Sequence, residues 1–421
     1  MKKGSWQIAT LVICGICILS FSRGVAAGVN PDSSKDGEEV GIAVIMFDAE
    51  SRGSEPDSEK ASFAFSDEKL LPVTPVKNQA QSGTCWCFSG IGMFECELLR
   101  DGKGEHDLSE MWIVRNIYKE KVAKYVRMHG NSSLSPGGVP DDVAYIISRY
   151  GIVPEEVYSG LNGAENHNHK ELDETIRTFA QKLVKNDSAV LATEWKLQLD
   201  SILNSYLGVC PYTFIYRGKE YTPKSLAAEL DIDTEEYINL TSFSHHPLYA
   251  TFPLEIPDNW NWSRFGNVTI EELEAIIEAS LEAGHAINWA SDVSEPGFRY
   301  KDGYAVILED ENGKQVLSAE DMAKGVVQEV MITPAMRQEA FDEYRTTDDH
   351  GMLIVGTATD QNGNRFYKVK NSWGETGKYK GFFYVSKPYL LYKTTALSVH
   401  RDAVPHEVLK KLEANEQNRY E

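Results

Sequence analysis

Cysteine is scarce in this chain, which has six cysteines among 421 residues. Four of them follow the first 27 residues: Cys85, Cys87, Cys96 and Cys210. Domains that depend on disulfides are small and carry cysteine at a much higher density, whereas a chain of this length can bury a core without them. The sequence therefore excludes a disulfide scaffold, and a free thiol in it calls for a functional explanation.

Positive charge is also in short supply. The sequence has 42 Lys and Arg residues against 63 Asp and Glu residues, which gives a formal net charge of −21 at pH 7. Proteins that bind nucleic acid need a basic surface, so we expect no nucleic-acid partner. We interpret the acidity as a property that keeps the chain in solution rather than as a substrate-binding surface.

A hydrophobic run long enough to cross a membrane is missing near the N-terminus. The apolar stretch 8–21 is shorter than the roughly 20 residues that span a bilayer. It follows Lys2 and Lys3, and it precedes small residues at 25–27 of the kind that a signal peptidase reads. We therefore predict that residues 1–27 are a cleaved signal peptide and that the protein is periplasmic or secreted. A retained membrane anchor is the competing interpretation.

The remaining chain divides into a linker, a large domain and a tail. Residues 28–62 are rich in Ser, Asp, Glu and Gly and predict a flexible linker or a short pro-segment. We predict one folded domain over 63–405, with a helical insertion at about 160–250 and a β-rich lobe at about 260–400. The polar residues 406–421 are predicted to form a helical tail.

Cys85 opens a predicted helix. Apolar residues recur at helical spacing from Phe88 through Leu98, which predicts a long amphipathic helix with the cysteine in its first turn. A free thiol has a pKa near ~8.5, but at a helix N-terminus beside a protonated His the value can fall to roughly 3.5–7.5. Cys85 is therefore the candidate nucleophile.

A predicted β-hairpin supplies a partner for that thiol. Strand-like segments 352–358 and 365–370 flank the turn-rich residues 360–364, which include an Asn-Gly pair. Pairing of the two strands brings His350 and Asn371 to the same end of the hairpin. An amide beside an imidazole can hold the ring in the tautomer and orientation that a general base needs. Spacing alone does not show that His350 meets Cys85, because 265 residues separate them.

Three segments carry a resemblance to a known family. Residues 75–89 (PVKNQAQSGTCWCFS), 350–352 (HGM) and 370–374 (KNSWG) resemble the nucleophile, His and Asn segments of papain-like cysteine peptidases, in the same chain order. The resemblance implies an α+β fold of two lobes with the helical insertion in the helical lobe, and a peptide or protein as substrate. No organic cofactor and no metal are implied.

The resemblance also implies a role for each site residue. Cys85 would be the nucleophile, His350 the general base and acid, and Asn371 the residue that orients the imidazole. Gln79 would donate its side-chain amide to the oxyanion, together with the backbone N–H of Cys85. Trp373 would shield the His–Asn hydrogen bond from water. The residues assigned to shielding or to the substrate cleft also include Trp86, Gly137 and Gly138.

Within this family, the sequence is most similar to the bleomycin hydrolase and aminopeptidase C branch. The separation of Cys85 and His350 exceeds the roughly 130–150 residues of papain-type enzymes, which fits a helical insertion. Residues 136–138, 150–154 and 348–352 also resemble that branch. The resemblance implies an aminopeptidase, commonly a hexamer, whose C-terminal residues lie in the cleft. The charged tail of this chain does not match the family's C-terminus.

Several alternatives stay open from the sequence. An endopeptidase with an open cleft and a catalytically silent, exported binding protein are the two competing functions. Cys85 and Cys87 could form a redox or metal site, but redox motifs have two intervening residues and structural zinc needs four ligands. The histidine pairs 167/169 and 245/246 could ligate a metal, and we interpret both as solvated loops. Asp292, just after a strand-like run, is a weaker candidate for holding a substrate amine.

Overall fold

The computed structural model describes residues 63–185, 194–308, 314, 318, 324–325 and 330–417. The predicted signal peptide (1–27) and linker (28–62) lie outside the described residues. The described helices are α1 (Cys85–Arg100), α2 (Glu110–Arg127), α3 (Asp142–Tyr150), α4 (Lys170–Lys185), α5 (Trp195–Leu207), α6 (Pro223–Glu229), α7 (Ile270–Ala283), α8 (Pro334–Asp342), α9 (Lys387–Lys393) and α10 (His406–Gln417). None of these described helices combines the length and the apolar character that a membrane span requires.

The described strands form one large sheet and a small hairpin. In chain order they are β1 (Phe65–Leu70), β2 (Phe214–Tyr216), β3 (Lys219–Tyr221), β4 (Tyr237–Thr241), β5 (Thr251–Pro253), β6 (Arg264–Asn267), β7 (Ile287–Ser291), β8 (Phe298–Arg299), β9 (Tyr304–Ala305), β10 (His350–Asp360), β11 (Arg365–Lys370), β12 (Phe382–Ser386) and β13 (Thr394–His400). The sheet order is β5-β6-β4-β13-β7-β10-β11-β12-β9-β8, with β1 paired to β10. Strands β2 and β3 pair only with each other within the described chain. The mixture of helices and a mainly antiparallel sheet confirms the predicted α+β class.

Helix α1 forms at the predicted position but is buried more completely than an amphipathic pattern indicates. Its residues from Trp86 to Leu98 are all buried, because the helix packs against β7 and β10 on one side and against α2 and α3 on the other. Because residues 86–98 have no solvent-exposed face, α1 is not divided into one apolar and one polar face. The burial fixes the position of its first turn.

The β10–β11 hairpin is confirmed. Leu353 pairs with Lys370 and Thr359 pairs with Arg365 across the two antiparallel strands. In the turn, Asp360 Oδ1 accepts hydrogen bonds from the backbone N–H groups of Asn362 and Asn364, each at 2.8 Å. Because the register is fixed at both ends, His350 at the start of β10 lies beside the residue that follows β11.

The range predicted as a helical insertion, about 160–250, includes both helices and the strand β4 of the large sheet. It contains α4, α5, α6 and the β2–β3 hairpin, after which the chain enters the large sheet at β4, paired to β13. The β4 residues Ile238 and Thr241 are β-branched and favour a strand, a local signal that the polar character of the region masks. The sheet also takes β1 and β5 from outside the predicted β-rich range of about 260–400.

A partly buried ion cluster ties the segment before α1 to the helical lobe. Lys77 Nζ lies 2.9 Å from Glu95 Oε1, 2.8 Å from Glu110 Oε1 and 2.6 Å from Asp107 Oδ1. Burial alone would lower the pKa of Lys77, but the carboxylates of Glu110, Glu95 and Asp107 raise it well above its ordinary value. The charged lysine therefore holds the chain in place two residues before Gln79.

The C-terminal tail begins with the predicted helix, here α10, and residues 418–421 lie outside the described chain. Its Leu412 side chain packs against Gly266 of β6, where a side chain would come within 3.0 Å of the leucine. Lys411 Nζ lies 3.3 Å from Glu272 Oε1 and 3.0 Å from the Tyr249 hydroxyl. The described part of the tail is thus fastened to the β5–β6 side of the sheet.

Candidate active site

Cys85 is the first residue of α1, so its thiol lies at the positive end of a buried helix. The side chain is partly exposed, as access by a substrate requires. Burial raises the pKa of the Cys85 thiol to about 12, and the negative charge of Asp348 adds to the rise. The backbone N–H groups of Gly351 and Trp86 act against it because they donate hydrogen bonds to the sulfur.

Gly351 brings the His strand against the first turn of α1. A side chain on Gly351 would come within 2.8 Å of Trp86 Cα, 3.0 Å of Trp86 N and 2.9 Å of Ser89 Oγ. Only a glycine fits, because two of these atoms belong to helix backbone that cannot move aside. The close contact brings the backbone that follows His350 against the backbone that follows Cys85.

His350 and Asn371 meet as the hairpin predicts. His350 Nε2 lies 2.8 Å from Asn371 Oδ1, and both residues are buried. Since the amide oxygen can only accept, Nε2 carries the proton and Nδ1 is left to accept one. The Trp373 ring stacks on the imidazole at a centroid distance of 4.7 Å and an interplanar angle of 27°. The structure therefore places Trp373 where it covers the His–Asn hydrogen bond.

The two reacting groups resist ionisation separately. Burial lowers the pKa of His350 to about 4, although the hydrogen bond to Asn371 and the charge of Asp349 raise it. An isolated thiolate or an isolated imidazolium is therefore disfavoured at neutral pH. Transfer of the thiol proton to His350 would create both charges together, and at close range their mutual attraction acts against the loss of hydration. A reactive thiolate is therefore expected only as part of a thiolate–imidazolium pair.

Gln79 is oriented by a neighbour that the sequence pattern did not single out. Ser372 Oγ donates a hydrogen bond to Gln79 Oε1 at 2.6 Å, and Gln79 N donates to Ser372 O at 2.8 Å. The side-chain Nε2 makes no hydrogen bond to any residue that the structure describes, so both of its N–H groups are available. This is the arrangement that an oxyanion donor needs.

Trp86 and Lys121 hold the loop that contains Gly137 and Gly138. Trp86 is buried and its indole N–H donates to Pro136 O at 3.0 Å, so Trp86 supports the loop. Lys121 Nζ, also buried, donates to Ser135 O at 2.6 Å and to Gly137 O. Neither backbone polar group of Gly138 has a hydrogen-bond partner in the described chain. These hydrogen bonds hold the loop in position, with Gly138 buried.

Asp142 connects this loop to a second one. Its Oδ2 accepts from Val139 N at 3.0 Å, and both carboxylate oxygens accept from Trp260 Nε1, at 3.1 and 3.0 Å. Burial raises the pKa of Asp142 to about 7, while Lys121 lowers it. The carboxylate accepts hydrogen bonds in either protonation state and fixes the two loops relative to each other.

Three further acids adjoin His350. Burial raises the pKa of Asp348 to about 7, against a hydrogen bond from Thr395 Oγ1 at 2.7 Å that lowers it. Burial and the neighbouring charge of Asp349 likewise raise the pKa of Asp292 to about 7. Asp292 bonds to Ser294 and Thr347, so the structure gives it a role in the conformation of this loop.

The other candidate ligands of the sequence are arranged as follows. Cys87 is fully buried and its Sγ donates to Glu110 O at 3.3 Å, as expected of a packing residue. His245 and His246 lie with Glu255 in the one group of potential metal ligands found in the described chain, with the three ligand atoms within 4.8 Å of one another. Both imidazoles already hydrogen-bond to Glu255, at 3.1 and 2.7 Å.

The sequence of this chain is similar to those of several known proteins. The model of the Peptidase C1-like family matches residues 109–419, a range that includes His350 and Asn371 and begins after Cys85. The chain is 25% identical to Aminopeptidase C of Lactococcus lactis subsp. cremoris, with 82% of this chain and 85% of that protein covered. It is 24% identical to Aminopeptidase W of Lactobacillus delbrueckii subsp. lactis, with 84% and 86% covered.

A solved structure illustrates the shared fold. The crystal structure of PepW from Lactobacillus rhamnosis HN001 matches with a TM-score of 0.64 and 22% sequence identity, and the match covers 84% of this chain and 85% of that one. This likeness of fold confirms the predicted α+β architecture.

The contact at Gly351 yields a testable prediction. Gly351→Ala forces β10 away from Trp86, which separates His350 from Cys85 while leaving the core of the protein in place. We expect kcat/KM for a peptide substrate to fall by about 100-fold, the effect of displacing a reacting group by roughly 1 Å. Steady-state kinetics, together with thermal unfolding to verify the fold, measure the effect.

Gly92→Ala is the matched control for that variant. Gly92 lies in α1, the helix that Gly351 contacts, and it faces β10. A side chain on Gly92 would approach only the flexible end of Leu353, at 3.2 Å. Activity should remain within a few-fold of the wild type. Equal losses in the two variants would show that the close contact at Gly351 has no special importance.

The buried acids predict a pH dependence of stability. Burial raises the pKa of Asp348 to about 7 in the folded chain, whereas an unfolded Asp has a pKa near ~4. Between these values the folded state binds more protons, so its free energy of unfolding falls as pH rises. Asp348→Asn should flatten this slope by up to about 1.4 kcal/mol per pH unit.

Denaturant unfolding between pH 4.5 and 7.5 tests this dependence. Asp231→Asn serves as the control, because the Asp231 side chain is 87% exposed and its replacement should leave the slope unchanged. A slope that is the same in the wild type and in Asp348→Asn would contradict the assignment.

Proposed function

The chain belongs to the Peptidase C1-like family, and we propose that it is a cysteine aminopeptidase that acts through Cys85 and His350. The observation that supports this proposal is the contact of Gly351 with Trp86, because these residues directly follow His350 at the start of β10 and Cys85 at the start of α1. The preference for a free N-terminus is inferred from the relatives, several of which are named aminopeptidases.

The proposed reaction begins with proton transfer from the Cys85 thiol to His350 Nδ1. The thiolate then adds to the carbonyl carbon of the scissile bond, and the resulting oxyanion accepts hydrogen bonds from Gln79 Nε2 and the Cys85 backbone N–H. Collapse of this intermediate breaks the C–N bond, while His350 returns its proton to the leaving amine. The acyl group remains on Cys85 as a thioester.

Hydrolysis of the thioester completes the cycle. His350 accepts a proton from water as the water oxygen adds to the thioester carbon, and collapse of the second intermediate breaks the C–S bond. The released thiolate recovers its proton from His350. Asn371 keeps the imidazole in the orientation required for each transfer, because its amide oxygen holds Nε2–H throughout.

Two peptides test this function. A fluorogenic peptide with a free N-terminus and the same peptide with an acetylated N-terminus are compared with protein lacking residues 1–27. We expect the free peptide to be cleaved roughly 30–150-fold faster, because a charged amine that is recognised contributes on the order of 2–3 kcal/mol. Faster cleavage of the acetylated peptide would indicate an endopeptidase with an open cleft.

Two cysteine variants accompany the comparison. Cys85→Ala should abolish cleavage of both peptides, whereas Cys210→Ala, at the other partly exposed thiol of the described chain, should retain it. Full activity of Cys85→Ala would contradict the thiol mechanism. The catalytically silent binding protein would be supported if the wild type cleaved neither peptide, or if a thiol-directed peptidase inhibitor did not modify Cys85.

Export and assembly are further parts of the proposal. Residues 1–27 have the pattern of a signal peptide, and we propose that they direct the chain out of the cytoplasm and are removed. Expression of the full sequence with fractionation should give a mature chain that begins at Gly28, as N-terminal sequencing would reveal. An intact N-terminus in the cytoplasmic fraction would contradict it. The hexamer implied by the resemblance stays a prediction, for which light scattering provides the test.

A further inference from the structure

The carboxylate of Asp258 lies against the glycine loop of the site. A side-chain carbon added to Gly137 would come within 1.8 Å of Asp258 Oδ2 and 2.7 Å of Oδ1. The acid therefore occupies the volume that a side chain at 137 would fill, and glycine is required there because of this close approach. Asp258 is half-buried, so its charge is partly shielded from water and partly accessible.

One oxygen of this carboxylate is fixed and the other is available. Ser135 Oγ donates a hydrogen bond to Asp258 Oδ1 at 2.6 Å. Oδ2 accepts no hydrogen bond from the residues that the structure describes. A half-buried carboxylate oxygen without a donor is the arrangement that binds a cationic ligand.

The loop that carries Asp258 is rigid. Asn259 Nδ2 donates to Leu254 O and Ser263 O, each at 2.9 Å, and Asn259 Oδ1 accepts from Ser263 N at 2.8 Å. Trp260 is held by Asp142, which also holds the glycine loop. Asp258 is thus preorganised with respect to Gly137, and binding of a ligand there costs little reordering.

Asp258 is also close to the nucleophile. A side chain on Gly138 would overlap the Trp86 ring, at 2.8 Å, and Trp86 directly follows Cys85 in the chain. The negative charge of Asp258 contributes to the raised pKa of the Cys85 thiol. A substrate whose carbonyl meets Cys85 therefore lies in the field of this carboxylate.

The described part of the C-terminal tail does not supply a competing acid at this position. Helix α10 is fastened to Gly266, Tyr249 and Glu272, around the two strands that the Asp258 loop connects. The loop between β5 and β6, rather than the helix, reaches Gly137.

We propose that Asp258 binds the α-ammonium group of the N-terminal residue of a peptide substrate, an inference that rests on the proposed aminopeptidase function. A free N-terminus forms a charge-assisted hydrogen bond with Oδ2. An acetylated N-terminus has no charge and leaves the carboxylate desolvated without a partner, so it is rejected.

The test compares kcat/KM for the free and the acetylated peptide in the wild type and in Asp258→Asn. We expect the value for the free peptide to fall by roughly 10–150-fold, the loss of one hydrogen bond to a charged group. The value for the acetylated peptide should stay the same or rise. A merely structural role would lower both values together, and that result would overturn the proposal.

Three further variants make the result specific. Glu255→Gln removes an acid from the same loop that faces His245 and His246 instead, and it should preserve the preference for the free peptide. Ser135→Ala releases Oδ1 and should weaken that preference by a smaller factor, which keeps the proposal testable if Asp258→Asn fails to fold. A chain lacking residues 418–421 should keep the preference, and loss of the preference there would assign amine binding to the tail and overturn the proposal.

The outcome also separates this proposal from the function on which it rests. A wild type that cleaves both peptides equally contradicts the aminopeptidase itself. A wild type that prefers the free peptide, with the same preference in Asp258→Asn, contradicts the role of Asp258 alone.

Discussion

The contact of Gly351 with the first turn of α1 is the constraint on which the site depends. Cys85 belongs to a helix and His350 to a strand that is 265 residues away. Neither element can place the two side chains together unless its backbone approaches the other closely. The burial of residues 86–98 by neighbouring elements fixes the position of α1. The absence of a side chain at Gly351 lets β10 approach the first turn of this helix. The chemistry then follows from the Asn371 hydrogen bond and the stacked Trp373 ring.

Buried polar groups hold the loops around this contact. Lys77 ties down the segment before Gln79, Lys121 holds the carbonyls of the glycine loop, and Asp142 joins that loop to the Asp258 loop. Each of these groups loses hydration when it is buried, and each is satisfied by several partners at once. Loops fixed in this way are preorganised for binding, which a set of surface contacts would not achieve.

Much of this arrangement could be predicted from the sequence, and the reasons are local. The helix at Cys85 and the β10–β11 hairpin have strong periodic and turn signals, so their bounds and the meeting of His350 with Asn371 follow from short stretches of chain. Strand β4 was missed because its signal is brief and lies within a polar, mainly helical region. The complete burial of α1 depends on neighbours from several elements, which a pattern in one segment does not reveal.

The residues that support the site could not be predicted from the sequence, for a related reason. Ser372 orients Gln79 across 293 positions, and Asp142 contacts Trp260 across 118. Asp258 lies in a loop with no motif of its own, and only the fold brings it to Gly137.

The pH dependence of Cys85 alkylation by iodoacetamide, in the wild type and in His350→Ala, tests the proposed mechanism most directly. A thiolate–imidazolium pair predicts rapid alkylation well below the ordinary thiol pKa of ~8.5, and its loss in the variant. Alkylation that rises only near that pKa in both proteins would contradict the pair.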